Sequence, residues 1–437
     1  MTIKIPNDVQ KIINILEQNN FDAYVVGGCV RDSIIGLTPQ DWDICTNATP
    51  LEIKKCLVDN NFRIIENAIK HGTISAIINK TEYQITTFRI DGNYSDNRRP
   101  DSVIFVNDLK QDLSRRDFTI NAMAYNNKVG LVDFFDGRLD IANKVIRCVG
   151  DAEKRFDEDA LRIMRALRFA SVYQYKIDID TSKGIFKKQN LLSNISYERF
   201  NVEFCKMLCG NGIKNILTEY HIIITNIIPQ LSDNNNLWNV VSDKIHKTDN
   251  DLIIRLTMLF YHTVNVKSFT DNLSENDEIS NISKAKSAEI RNIMSTLRFN
   301  NKTITDVCTL ASYYNYNISP SSYCIKKILN KIGIPLFEKL LIIKKYELSY
   351  QNNFQTEIEN LDKIHSIYKE IIEQKDCFSL AALNINGRDL IGLGFIPGAE
   401  IGKILNVLLE MVISNQVENE KNILIKNALL IRNICKI

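Results

Sequence analysis

Two acids in alternation, Asp41 and Asp43, stand near the end of the stretch GGCVRDSIIGLTPQDWDIC, which runs from Gly27 to Cys45. On a strand, side chains two apart share a face, so this pair would present two carboxylates side by side. Like charges that close repel and raise each other's pKa, and a cation between them resolves the conflict. The upstream residues give such a cation a use. Gly27-Gly28 opens a short helical pattern whose first N–H groups can cradle a phosphate. Arg31, one turn in, can add a charge-assisted bond to a phosphate oxygen. Carboxylates beside a phosphate cradle suit Mg2+, a hard cation that keeps waters and is completed by substrate phosphates. Alternating acids also protect an exposed edge strand, but the glycines and Arg31 favour phosphoryl chemistry.

Two further stretches carry candidate chemistry. In SRRDFTINAMAYN (Ser114 to Asn126), Arg116 can reach phosphate or ribose oxygens and Asp117 can accept from a hydroxyl. In EDALRIMRALRFA (Glu158 to Ala170), Asp159, Arg162, Arg165 and Arg168 recur every third residue, a stripe along one helix face. Leu161, Met164 and Leu167 form a neighbouring apolar stripe. Read alone, the charged stripe serves equally as a solvated salt-bridge face.

The elements that must position these residues are legible in the pattern. The 437 residues suffice for two or more domains, and a net charge of +2 confines any nucleic-acid site to a local patch. FDAYVVGG reads as a strand entering a turn, CVRDSIIG as a short helix and DWDICTN as a strand. Thr49, Pro50 and Glu52 make a capping box, and TISAIIN and YQITTFRI alternate like strands. Val9, Ile12, Ile13 and Leu16 line one side of an N-terminal helix that lacks the character of a signal peptide. Beyond about Asp151 helical periodicity takes over. The polar segment DNLSENDEISNISKA (271–285) is expected to be a mobile connection. The ten cysteines contain no CxxC pair, and Cys205 and Cys209 have no nearby histidines. These features and the lack of a membrane-spanning apolar run lead us to expect free thiols and a soluble, cytoplasmic protein.

GGxVRD followed by DxD resembles the nucleotidyltransferases of the polymerase-beta superfamily. With the RRDFTINAMA and EDALRIMRALRFA stretches, the chain is similar to class II (bacterial-type) CCA-adding enzymes, the tRNA nucleotidyltransferases, and to their relatives the bacterial poly(A) polymerases. The resemblance implies an α+β fold: a polymerase-beta-like head with a mixed sheet (1–150), then an all-helical neck (151–215), body (216–350) and tail (351–437). It implies addition of CCA to tRNA from CTP and ATP, without a nucleic-acid template and with release of pyrophosphate. Asp41 and Asp43 would be catalytic and hold Mg2+. Gly28, Arg31, Arg116, Asp117, Asp159, Arg162, Arg165 and Arg168 would bind nucleotide, with Asp159 and Arg162 reading the base. Cytosine and adenine both show an exocyclic amine beside a bare ring nitrogen, which suit a carboxylate and a guanidinium. Uracil and guanine reverse that pattern and would leave buried groups mismatched, at a cost of about several kcal/mol. The partners implied are the 3′ end and acceptor arm of tRNA, with no membrane, and a monomer or homodimer.

Three more segments fit the family. FRIDGNYSDNRRPDSV (88–103) resembles the loop that lets members pass from C to A addition. ISYERFNVEFCKML (195–208) resembles a helix whose Glu198, Arg199 and Glu203 brace the nucleotide helix. ALNINGRDLIGLGFIPGAEIG resembles the tRNA-binding tail, with Pro397 as a first helical residue. Two departures stand out. Gln84 occupies a position where members often carry a third acid, with Glu82 on the same strand face as a substitute. RLTMLFYHTV (255–264) resembles a degenerate HD-phosphohydrolase helix, but Thr263 follows His262, which argues against a second hydrolase activity. A poly(A) polymerase or A-adding relative is the competing enzyme; KHGTISAII and the lack of a basic GRRF-type segment count against it. A non-catalytic RNA-binding protein is the competing reading from another class; intact Asp41, Asp43, Asp159 and Arg162 argue against it.

Overall fold

A computed structural model describes residues 2–92, 102–266, 275–350 and 355–435. The chain divides into two compact units, one of residues 1–246 with 296–299, the other of residues 247–295 and 300–437.

The N-terminal unit opens on α1 (Asn7–Gln18), which buries Val9, Ile12, Ile13 and Leu16 as their spacing predicts. β1 (Ala23–Val26) leads into α2 (Gly28–Ile35), and β2 (Asp43–Thr46) follows. At the start of α3 (Pro50–Asp59) the capping box forms as expected, with Glu52 accepting from the Thr49 N–H at 2.8 Å. β3 (Arg63–Ala68), β4 (Thr73–Ile78) and β5 (Thr81–Thr87) are an antiparallel meander. β6 (Arg89–Asp91) and β7 (Val103–Phe105) pair separately. They are the stem of the segment expected as a loop over 88–103, of which 93–101 lie outside the described residues. After α4 (Leu109–Ser114), β8 (Met123–Asn126) and β9 (Gly130–Asp133) complete a seven-stranded mixed sheet. Its order is β3-β4-β5-β2-β1-β8-β9, with β2 and β5 parallel and the other neighbours antiparallel.

Alternation assigns the two faces of this sheet. Val25, Ile44, Ile74 and Ile85 join Ile12, Leu16, Ile53 and Leu57 from α1 and α3 in one core. Val26 and Cys45 point the other way and pack with Phe88, Leu113 and Ala124. Trp42 packs against the first core, so it faces away from Asp43. One expectation is corrected here: β2 begins at Asp43, and Asp41 lies in the connection before it. Only Asp43 is held by the strand ladder, where it pairs with Val26.

The rest of the unit is mostly helical: α5 (Gly137–Asn143), α6 (Ala152–Glu158), α7 (Leu161–Tyr173), α8 (Ile179–Lys188), α9 (Tyr197–Leu208), α10 (Ile213–Ile227) and α11 (Asn235–Lys247), with one short parallel strand pair, Val145–Ile146 and Lys176–Ile177, the second strand interrupting the neck expected to be all-helical. The stripe expected along one helix is interrupted. Asp159 closes α6 with extended dihedrals, and α7 carries only the three arginines.

The second unit holds α12 (Leu252–Thr263), α13 (Glu275–Thr296), α14 (Asn301–Tyr313), α15 (Ser322–Leu348), α16 (Gln355–Glu373), α17 (Gly387–Gly392), α18 (Ala399–Ile413) and α19 (Lys421–Cys435). Of the polar segment expected to be a mobile connection, residues 275–285 belong to α13, and 271–274 lie outside the described residues. Polar composition without Gly or Pro is compatible with a helix. Gly398 caps α18, so Pro397 precedes the helix and is not its first residue. His262, on α12, bonds through Nε2 to the Tyr314 hydroxyl at 2.9 Å and to Glu347 at 3.0 Å. No described helix is long and apolar enough to cross a membrane.

α7 is pinned by a close backbone approach. The Gly212 N–H donates to the Ser171 carbonyl at 2.7 Å. A Cβ at Gly210 would lie 2.2 Å from Ser171 Oγ and 2.5 Å from its carbonyl carbon. Gly210→Ala therefore forces backbone apart and is expected to cost about 1–3 kcal/mol. Denaturant unfolding measures it; an unchanged midpoint would contradict the close approach.

Candidate active site

Pairing of Val26 with Asp43 sets a glycine turn beside a carboxylate. β1 runs into Gly27 at φ +80, a left-handed conformation that favours glycine. A side chain there would also meet Arg116 Nη1 at 3.0 Å. α2 starts at the next residue, so the first N–H groups of its backbone are turned toward the same place.

The Asp43 carboxylate opens to solvent while much of its surroundings is protein. That burial pushes its pKa up, Arg116 opposes the shift, and Asp41 adds to it. Neither the Asp41 nor the Asp43 carboxylate accepts a hydrogen bond or ion pair from any described residue. Two hard oxygen donors without protein partners, one of them costly to ionise, are a donor set that fits a divalent cation. Among the described residues no group of three or more His, Cys, Asp or Glu side chains could complete the site from protein alone. Gln84 shares a cavity with Asp43, whereas Glu82 is exposed and does not line it.

A continuous polar network runs from α2 to α9. Arg31 is buried; its guanidinium donates to Asp32 Oδ1, with Nε at 2.9 Å, and to Asn121 Oδ1. Asn121 Nδ2 donates to Asp117 Oδ1 at 3.0 Å, and the Phe118 N–H reaches the same oxygen at 2.8 Å. Arg165 grips Asp117 Oδ2 with Nε at 2.7 Å and Nη2 at 2.6 Å. Burial alone would raise the Asp117 pKa; Arg165, the Asn121 hydrogen bond and Arg162 instead hold it well below the usual carboxylate range. Glu203 of α9 then takes Arg168 at 2.7 Å and approaches Arg165 at 3.8 Å. Three guanidiniums surround the Phe169 ring, Arg168 at 3.9 Å, Arg31 at 5.1 Å and Arg165 at 5.3 Å from its centroid. Arg31 also lies over Tyr173 at 4.8 Å.

The structure brings the expected residues to one region but in altered roles. Asp117 already accepts three hydrogen bonds from protein and a close ion-pair contact from Arg165 Nη2, so both its oxygens are engaged and it anchors Arg165. Arg116 has a buried Nε without a hydrogen-bond partner, and its Nη2 leans on the fully buried Asp112 at 3.4 Å. Asp159 is held by Arg199 at 2.8 Å and accepts from the Leu161 N–H at 3.1 Å. Arg162 bonds to Glu158, to the Arg155 carbonyl at 3.1 Å and to the Arg115 carbonyl at 3.0 Å. Asp159 and Arg162 thus stand as neighbours with separate partners. Of the three residues expected to brace the nucleotide helix, Glu203 holds Arg165 and Arg168 of α7, Arg199 holds Asp159 at the end of α6, and Glu198 pairs with Arg298 at 3.6 Å on the surface.

Sequence reading missed Asn121, Asp112, Phe169 and Tyr173. Asp112 carried a signal, since it lies three and four residues before Arg115 and Arg116 on one helical turn. Asn121 carried none, because its two partners come from different elements.

Comparison with known proteins follows this geometry. A family model described as the poly A polymerase head domain matches residues 23–147, and one described as tRNA nucleotidyltransferase domain 2, putative, matches residues 278–428. A CCA-adding enzyme of Ligilactobacillus salivarius is 34% identical over 441 residues, covering 97% of each chain. One of Enterococcus faecalis is 32% identical over 433 residues, 97% of this chain and 96% of that one. The crystal structure of the Bacillus stearothermophilus CCA-adding enzyme in complex with CTP is similar at a TM-score of 0.72 and 25% identity, covering 99% of both chains. The Thermotoga maritima CCA-adding enzyme complexed with tRNA shares the fold, at a TM-score of 0.58 and 20% identity, over 98% of this chain and 99% of that one.

Asp117 allows a test of the network. Its folded pKa lies below the unfolded value of about 3.9, so its stabilisation is complete above that pH and is lost as pH falls through the folded value. Asp117→Asn strands a buried guanidinium and is expected to cost about 3 kcal/mol or more at neutral pH. The gap from the unsubstituted protein should hold down to about pH 4 and close below it. Denaturant unfolding across that range reads it; a gap that opens as pH falls would contradict the pairing.

Proposed function

The chain belongs to the family of CCA-adding enzymes, and from that premise we propose that it adds the 3′-terminal CCA to tRNA from CTP and ATP, with no nucleic-acid template. The tRNA 3′ hydroxyl attacks the α-phosphate of the incoming nucleotide and pyrophosphate leaves. The observation that carries this reading is the pairing of Val26 with Asp43, which sets a phosphate-cradling turn beside an unpartnered carboxylate.

In this reading Asp41 and Asp43 hold a divalent cation, which we assign as Mg2+ from their all-oxygen chemistry. When bound, such an ion activates the attacking hydroxyl and neutralises charge on the leaving group. The backbone at Gly28 and the guanidinium of Arg31 receive the triphosphate. Arg116, with a buried donor to spare, reaches phosphate or ribose oxygens. Asp117 acts through Arg165, which it orients toward the nucleotide, and Arg168 adds positive charge around Phe169. Asp159 and Arg162 read the Watson–Crick edge of the base. Arg199 holds the first of them and the Arg115 carbonyl the second, so both reader groups are oriented before a nucleotide arrives.

We retain the division into head (1–150), neck (151–215), body (216–350) and tail (351–437), with the tail supporting tRNA, and place the enzyme in the cytoplasm with its substrate.

Incorporation on a tRNA transcript ending before CCA tests the whole: ordered C, C, A addition is expected, and untemplated runs of A would point to a poly(A) polymerase. Asp43→Asn should reduce incorporation by about a thousandfold or more while tRNA binding persists; near-normal turnover would sink the metal assignment. For base choice, Arg162→Ala should admit UTP or abolish transfer. A variant that rejects UTP yet uses CTP at full rate would refute the base-reading role.

A further inference from the structure

The sheet order gives Asp43 two different neighbours. On one side of β2 is β1, which feeds the glycine turn; on the other is β5, which carries Gln84. Against Asp43 lies a cavity of about 140 Å3 that reaches from Val26 of β1 to Gln84 and Thr86 of β5 and is lined also by Thr73, Arg89, Arg115 and Arg116. The Thr73 and Thr86 hydroxyls bond to each other at 2.9 Å. The Gln84 amide is exposed and makes no hydrogen bond to any described residue, and Arg116 brings its unpartnered Nε. This volume is well short of the roughly 300 Å3 at which pockets begin to hold drug-sized ligands. It suits one sugar-phosphate unit and not a whole nucleotide.

Transfer requires two substrates to meet at the carboxylate from different sides. The helix N-terminus and glycine turn serve the triphosphate, which leaves the β5 side for the attacking strand. Its walls suit a strand end: the positive charge of Arg89 and Arg115, partly balanced by Asp91 and Asp112, favours an anionic strand, and a neutral amide suits a sugar hydroxyl. We propose that this cavity seats the terminal ribose of the acceptor strand and that Gln84 hydrogen-bonds its 2′-hydroxyl, making the enzyme selective for an RNA 3′ end. The proposal rests on the nucleotidyl-transfer reading above. An amide adds no third negative charge beside Asp41 and Asp43, and it can both donate to and accept from a hydroxyl. The 2′-hydroxyl is itself donor and acceptor and is the group that distinguishes RNA from DNA at a single position.

The test uses the full chain and two tRNA acceptors lacking CCA that differ only in a terminal ribose or 2′-deoxyribose. The unsubstituted enzyme should favour the ribose end in kcat/KM by about tenfold or more, as sites built to bond a hydroxyl reject its absence. Gln84→Leu should bring that ratio to within about threefold by losing rate on the ribose acceptor, with KM for CTP unchanged. Gln84→Glu, which keeps an acceptor oxygen, should retain the preference. An equal ratio in the unsubstituted enzyme and Gln84→Leu overturns the proposal. So does weakened Mn2+ binding by Gln84→Leu protein alone, followed by electron paramagnetic resonance, with no change in the ratio; that result makes Gln84 a metal ligand. Equal use of both acceptors by the unsubstituted enzyme overturns this inference but leaves nucleotidyl transfer standing, whereas no extension of either overturns both.

Discussion

Arg165 keeps Asp117 ionised inside the protein, and much of the site hangs on that pair. A buried carboxylate without compensation would take up a proton. Held by two guanidinium N–H groups on one oxygen and by Asn121 and the Phe118 N–H on the other, it stays charged. The cost of removing these charges from water is offset by close pairing together with hydrogen bonds to the remaining lone pairs, and here both carboxylate oxygens are bonded. The consequence is geometric. Asp117 belongs to the segment before β8, Arg165 to α7, and Asn121 links both to Arg31 on α2. The start of α2 and the arginine helix α7 are thereby fixed with respect to each other within one unit.

Around that pair the unit concentrates positive charge and then balances it. Arg31, Arg165 and Arg168 share the face and edge of Phe169, where each cation–π contact adds about 0.5–2 kcal/mol. Glu203 and Asp32 neutralise part of the charge from behind. Burial pulls the Arg168 pKa down, against Glu203, which favours its charged form. The acids are placed on the protein side of the cluster. What lies beside the glycine turn is Arg116 Nη1, 3.0 Å from where a Cβ at Gly27 would stand.

Local features were legible because they depend on residues close in sequence. The capping box at Thr49, the apolar stripe of α1 and the helix after Gly28 each formed where the pattern placed them. The break between α6 and α7 was not legible. EDALRIMRALRFA carries unbroken helical periodicity, yet Asp159 is extended and held by Arg199, 40 residues away. A tertiary ion pair and the bond to the Leu161 N–H outweighed local propensity there. Likewise DWDIC alternates as a strand should, but ladder pairing begins only at Asp43, where Val26 becomes available.

The sequence by itself determined which chemistry the head can perform. Paired acids after a glycine turn pointed by residue type to phosphate and a divalent cation, whereas only the family resemblance assigned the arginine-rich helix to a base. The tertiary structure decided how the labour is divided. It made Asp117 an anchor, because Arg165 and Asn121 arrive from other elements to fill its oxygens. It put Asp43 on the ladder and left Asp41 beside it, because hydrogen-bonded pairing starts at one residue and not the other. It placed Gln84 next to Asp43 through the parallel pairing of β2 with β5, a neighbourhood that strand order alone creates and that no spacing along the chain encodes.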